Sequence, residues 1–303
     1  MSAPDLLDPL FREAVAAIDA GDVASLERLI AEHPGLLRER LDAPGDWLRD
    51  KVGDAVDGFF QRPYLLWFVA EDPVRNGKLP ANIAQVASTI IQAARREGVE
   101  SLQEQLDYAL QLVSWSWIAR ECGVQIELID MLVDAGASVD RNPDNALINS
   151  NFAAAEHLIE CGAALTLSTA LCLGRWQDVE RLVADASPEE KQFAFILAAL
   201  KGKADAVRRM IEVGVGLNAP SRNLYSHATA VHHAVCSGSL ETVRVLVEAG
   251  AELNGRDTAW GATPLGWAEY YQELHQDDGR RAPYDEIAAY LRERGAAEGE
   301  ATG

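Results

Sequence analysis

Basic charge is what this chain has least of: 27 Lys and Arg stand against 47 Asp and Glu, a formal net charge of −20 over 303 residues. A field of that sign repels phosphate backbones and anionic lipid headgroups, which argues against nucleic acid and membrane surfaces and favours a basic or neutral protein partner. Cysteine is scarce. Cys122, Cys161, Cys172 and Cys236 form no CxxC pair and are too dispersed for a disulfide framework, which points to a reduced, cytoplasmic setting. Long hydrophobic runs are missing: a representative one, residues 64–70, lies between Arg62 and Glu71, well short of the roughly 18 residues of a membrane span. Residues 1–8 include Asp5 and Asp8 and lack the basic and apolar regions of a signal peptide, so no leader is expected. Catalytic signatures are absent as well. There is no GxSxG, GxxxxGK[ST], HExxH or GxGxxG.

What the chain does have is apolar residues, 48% of it, in a pattern that repeats. The clearest unit runs Thr229-Ala230-Val231-His232-His233-Ala234-Val235, then Gly238, then Leu240 to Ala251. Its spacing predicts two short amphipathic helices. Thr229 caps the first, Val243, Leu246 and Val247 form a stripe on the second, and Gly250 supplies a left-handed stop. So small a helix pair cannot bury its apolar face alone and must stack on copies of itself.

This unit resembles the ankyrin repeat, whose first helix reads T-P-L-H-x-A within a period of about 33 residues. Thr229, His232 and Ala234 match directly, and Thr263-Pro264-Leu265-Gly266-Trp267-Ala268 gives a second strong copy whose second helix resumes at 287–295 after an insertion at 273–283. Further copies follow Ala198-Ala199-Leu200-Lys201-Gly202, Ala170-Leu171-Cys172-Leu173-Gly174, residues 145–150 and Cys122, and the first unit covers 13–33. The pairs Gly136-Ala137, Gly162-Ala163 and Gly250-Ala251 recur as helix ends. The resemblance implies an all-α solenoid of about seven to eight stacked helix–turn–helix repeats. Its expected layout is a capping repeat at 1–40, an irregular insertion or degenerate repeat with long loops at 41–100, ankyrin repeats at 101–296 and a frayed tail at 297–303. Within 41–100, Arg62-Pro63-Tyr64-Leu65 is a degenerate first-helix start, residues 83–98 are a lengthened second helix after a turn at Asn76-Gly77, and 41–61 and 71–82 are loops. The alternative for that stretch is a small helical insertion domain.

The resemblance also implies where a partner would lie: across the concave face made by the first helices and the loop tips before them. The x positions include His233, Trp267, Asn145 and Thr169, and the residues before the mid-repeat glycine include Lys201 and Cys236-Ser237, with Tyr270-Tyr271 in the last repeat. Arg222, Asn223, Tyr225 and Trp260 are loop-tip candidates. The expected contact set is therefore Tyr225, His233, Trp260, Trp267, Tyr270, Tyr271, Asn145 and Lys201, dominated by aromatic side chains of the kind that anchor interfaces. The competing expectation is that the 273–283 insertion folds back over the tyrosines. His232 is read as a structural residue that ties adjacent turns, and Trp176 as core.

No cofactor, metal or catalytic residue is expected. Adjacent helical residues diverge by about 100°, so His232 and His233 cannot chelate one ion, and no acid is evident to orient a Cys236–His233 pair. The acidic pairs Glu189-Glu190 and Asp277-Asp278 read as solvent-facing charge. Three functions compete: a non-catalytic protein-binding scaffold or adaptor, a sensor of small molecules or peptides using a pocket formed with the 41–100 insertion, and an enzyme on a repeat scaffold.

Overall fold

The computed structural model describes residues 3–70, 77–140, 142–277 and 279–297. Asn76 of the expected turn, Asp278 of the expected acidic pair and the tail beyond 297 lie outside them. The described residues form seventeen α-helices and three 3-10 turns; the only extended pairing among them is a single bridge between Ser221 and Leu224. Two compact units divide the chain, residues 1–164 and 165–303.

The first unit begins with α1 (Ala3–Ala20) and α2 (Val23–Glu32), where Asp22 caps α2 by accepting from the Ser25 N–H at 3.0 Å. A 3-10 turn, Pro34–Leu37, leads to α3 (Asp46–Val52) and a second such turn, Gly53–Asp57. Residues 41–61 are therefore not the bare loop expected from sequence. They are tied to α1: Asp8 accepts from the Gly45 N–H at 2.9 Å and the Trp47 indole N–H at 2.6 Å, and Lys51 pairs with Asp19 at 2.7 Å.

The expected first helix at 62–70 is a single 3-10 turn, Leu65–Val69, packed against α1 on one side and α5 (Leu102–Trp115) on the other. Its partner is α4 (Ile83–Arg96), which buries Ile83, Val86, Ala87, Ile90 and Ala94 at helical spacing and ends in Arg95 and Arg96, favourable at a helix C-terminus. Full burial of one such isoleucine contributes about 1.5–3 kcal/mol. Phe60, Tyr64, Trp67 and Phe68 are buried here, whereas Phe59 is exposed, its ring edge-on to that of Trp115. After the short α6 (Trp117–Glu121) come α7 (Gln125–Asp134), α8 (Asn142–Ile148) and α9 (Phe152–Glu160). First elements stack in the order α1, 65–69, α5, α8, and second helices in the order α2, α4, α7, α9.

Buried amides replace the missing motif histidine in these drifted repeats. Gln125 donates to the carbonyls of Val113 at 2.8 Å and Ser116 at 3.2 Å, Asn151 donates to Ser114 at 2.9 Å, and Gln105 donates to Leu37 at 2.9 Å. Each brings a side-chain donor to a backbone carbonyl in the interior, where polar groups need partners.

The second unit comprises α10 (Leu167–Leu173) with α11 (Trp176–Asp185), α12 (Pro188–Leu200) with α13 (Ala204–Val213), α14 (Ala230–Cys236) with α15 (Leu240–Glu248), and α16 (Pro264–Leu274) with α17 (Ala282–Glu293). Its caps are those the motif demands. Thr166, Ser187, Thr229 and Thr263 cap the four first helices, Ser187 in a reciprocal box with Glu190, and Pro188 and Pro264 sit in the first turn. At the ends of the second helices, Gly136, Gly162 and Gly250 take φ values of 94°, 101° and 90°. The alanine after each bonds back to the carbonyl five residues earlier, closing the left-handed C-cap. Trp176 corrects the sequence reading. At 43% exposed it lies on the surface, because Val179 and Val183, not the first residue of α11, turn inward.

Candidate partner-binding site

Two loop tips of the second unit, with α14 and α16, gather a cluster of aromatic and imidazole rings. The first tip is closed by the Ser221–Leu224 bridge, and Tyr225 leaves it at φ 43°, left-handed for a residue with a side chain. The second tip is wound around Asp257. Its Oδ1 accepts the backbone N–H groups of Ala259 at 2.9 Å and Trp260 at 2.7 Å, and its Oδ2 accepts that of Ala262 at 3.0 Å and the Trp267 indole N–H at 3.0 Å. Burial pushes the Asp257 carboxyl up, but these donors outweigh it and hold the group below the usual carboxylate range.

The tips are tied together. Thr258 N–H donates to the His227 carbonyl at 2.8 Å. His232 Nδ1 lies 2.8 Å from the Thr229 hydroxyl, and its Nε2–H donates to the Ala262 carbonyl at 3.2 Å. His232 is thus the turn-to-turn link that the motif predicts, and burial lowers its imidazole below the usual range.

On this frame His227 is the hub. Its ring centroid lies 5.0 Å from Trp260, 6.1 Å from Trp267, 6.3 Å from Tyr225 and 6.3 Å from His233. Trp260 and Trp267 meet edge-on at 5.7 Å. Trp260 is 66% exposed and Tyr225 49%, so the two outermost rings face solvent while their backbones are pinned. His227 was not singled out from sequence; its position two residues before Thr229, in the tip that the motif assigns to recognition, is the signal that could have found it.

Other expected contact residues lie elsewhere. His233 is 2% exposed, so it forms the floor of the cluster and does not reach the surface; Tyr225 covers it at 5.9 Å. Burial, with help from His232 and His227, pushes its imidazole down to about 4, and its Nε2 has no partner. That nitrogen therefore makes no bond to Cys236, whose Sγ instead faces the Tyr271 hydroxyl at 3.1 Å. Trp267 is half-buried with its N–H held by Asp257. Tyr271 is half-buried in a stack with Tyr284 at 5.0 Å and His275 at 6.0 Å, and burial holds its phenol well above the usual range. Tyr270, by contrast, is 60% exposed. Thr169 is buried on α10, and Lys201 is half-buried at the end of α12, where burial lowers its ammonium. Asn145, on α8 in the first unit, is half-buried and accepts from the Asn149 side chain at 3.0 Å. Beside α4, an open groove of about 530 Å³ runs along α7 between Gln92, Arg95 and Asp130.

Residues 167–257 match the family model of ankyrin repeats in three copies, spanning α10 to α15 and ending on Asp257. An ankyrin repeat-containing protein of Schizosaccharomyces pombe is 37% identical over 79 residues, which is 26% of this chain and 36% of that protein. Residues 167–257 therefore carry ankyrin repeats. The crystal structure of the human ASB11 ankyrin repeat domain aligns with 71% of the chain and 96% of its own length, at 19% identity and a TM-score of 0.35. Among the described residues, no helix is long and apolar enough to cross a membrane.

Proposed function

We propose that this chain is an ankyrin-repeat protein throughout and a non-catalytic scaffold that holds a protein or peptide against the loop-tip and first-helix face of its second unit. The observation that carries the reading is the pairing of exposure with rigidity at Trp260 and Tyr225. Trp260 is the most exposed large apolar side chain among the described residues, yet Asp257 fixes the tip that bears it. A ring already held in place loses little entropy on binding, so its buried area converts efficiently to affinity. Aromatic anchors of this kind contribute on the order of 2 kcal/mol or more each. The net charge of −20 favours a partner with basic residues around the aromatic contact. We also place its work in a reducing, cytoplasmic compartment, in keeping with four cysteines of which none is in a disulfide.

The test is affinity capture from source-cell lysate with three baits: the wild type, Trp260→Ala/Tyr225→Ala, and Trp176→Ala as a control for loss of an exposed tryptophan in the same unit. A protein retained by the wild type and the control but lost by the double variant supports the reading. Equal retention by all three refutes the assigned face.

A further inference from the structure

The second helices of the first unit bring together a donor set that no ankyrin motif residue occupies. Asp130 lies on α7, and His157 and Cys161 lie one helical turn apart at the end of α9. Positions i and i+4 share a helix face, the spacing by which two side chains chelate one ion. His157 Nε2 is 2.6 Å from Asp130 Oδ1, and Nδ1 is 3.2 Å from Glu160 Oε2. One donor atom each from Asp130, His157 and Cys161 falls within 4.8 Å of the others.

We propose that Asp130, His157 and Cys161 form a Zn²⁺ site that clamps α7 to α9. The chemistry is specific to that class of ion. A thiolate, an imidazole and a carboxylate suit borderline-soft Zn²⁺, whereas Ca²⁺ and Mg²⁺ take oxygen ligands. Thiolate and carboxylate together balance the dication. With Zn–S near 2.3 Å and Zn–N and Zn–O near 2.0–2.2 Å, tetrahedral donors stand roughly 3.2–3.8 Å apart. The imidazole–carboxylate pair must open slightly and the sulfur close in, which side-chain rotation supplies on a half-buried His157 and Cys161 and an exposed Asp130. Glu160 completes the arrangement from outside: by accepting the Nδ1–H of His157 it turns the Nε2 lone pair toward Asp130 and the sulfur. The fourth position is left to water.

Binding is a proton exchange. The ion replaces the proton shared between His157 Nε2 and Asp130 and the proton on the Cys161 sulfur, and both go to solvent. An imidazolium held between two carboxylates would account for Asp130 and Glu160 but leaves the thiol on the same face without a role; a metal uses all of them.

The full chain, stripped with a chelator, desalted and kept reduced, is titrated with Co²⁺ and then with Zn²⁺. The expected result is a single site per chain with visible bands of tetrahedral cobalt and a sulfur-to-cobalt charge-transfer band in the near ultraviolet, all bleached by Zn²⁺. Cys161→Ser abolishes the charge-transfer band, while a variant in which Cys122, Cys172 and Cys236 are all serine keeps it. Asp130→Asn and His157→Gln each weaken Zn²⁺ binding at least about tenfold, and Glu160→Gln weakens it by about the tenfold typical of an outer carboxylate. Circular dichroism of each variant reads the fold. Absence of the charge-transfer band in the wild type, its survival in Cys161→Ser, or equal Zn²⁺ affinity in folded His157→Gln would each overturn the proposal.

Discussion

At the scale of single residues, His233 carries a sharp consequence. The folded chain holds it neutral down to about pH 4, against 6.5 for an ordinary imidazole. Between those values the unfolded chain binds a proton that the native chain refuses, so stability is complete above about 6.5 and drains away as pH falls toward 4. The difference is worth roughly 3 kcal/mol. The groups facing His233 are Tyr225, His227, His232 and Trp267, and His232 contributes a loss of the same sign because burial lowers it too. His157 works in the opposite direction, since its bond to Asp130 raises it. Melting temperatures of wild type and His233→Leu measured from pH 7 to 4.5 should therefore converge as pH falls, with the variant the flatter of the two. Parallel curves would show that His233 titrates normally.

At the scale of the helix–turn–helix element, the glycines that close its helices matter for two separable reasons. Gly202 and Gly250 both have left-handed backbones, at φ 63° and 90°. An added Cβ at Gly250 would meet nothing within 4 Å, whereas at Gly202 it would lie 2.9 Å from Ser239 Cβ and 3.1 Å from Ser237 Oγ in the next repeat. Gly250→Ala should cost about 1–2 kcal/mol for the backbone alone, and Gly202→Ala measurably more, read as midpoints of thermal unfolding. Equal losses would mean that the neighbouring turn yields freely.

The element scale is also where the sequence was most legible. Thr229, His232, Thr263 and Pro264 announced their helices because capping and turn-linking are local chemistry, and the structure has those bonds. The reduction of 65–69 to one 3-10 turn was not legible, since Trp47, Phe60 and Tyr64 fill the place of a longer helix only after the 41–61 segment docks on α1. Nor was the burial of His233 and Tyr271, which depends on what the next loop and α17 lay over them. Asp130 and His157 are 27 residues apart, and only the register of adjacent repeats makes them neighbours. His157 and Cys161 are four residues apart in the sequence, a step that points to no ion until Asp130 stands beside it.

At the scale of the molecule, the excess of acids is the dominant feature. Even with many surface arginines paired to carboxylates, such as Arg209 with Glu180 and Arg292 with Glu269, the chain remains strongly negative. Exposed pairs of this kind contribute little to stability, about 0–1 kcal/mol each, so the surplus charge acts mainly on encounter. Association with a basic partner should slow as ionic strength rises from roughly 0.05 to 0.5 M, as the screening length shrinks, while the dissociation rate changes little. Surface plasmon resonance across that range separates the two rates; an association rate indifferent to salt would contradict a basic partner.

The stacking order of the helices reaches beyond stability. Within each unit, every first helix rests on the first helix of the next repeat and every second helix follows the same rule where it makes contact, so partners in space are seldom far apart along the chain. Forming such contacts closes only short loops, which lowers the entropic barrier and lets structure start in any repeat and spread to its neighbours. A chain built this way is suited to acquiring its shape progressively as it leaves the ribosome, each repeat finding its support in the one synthesised just before it.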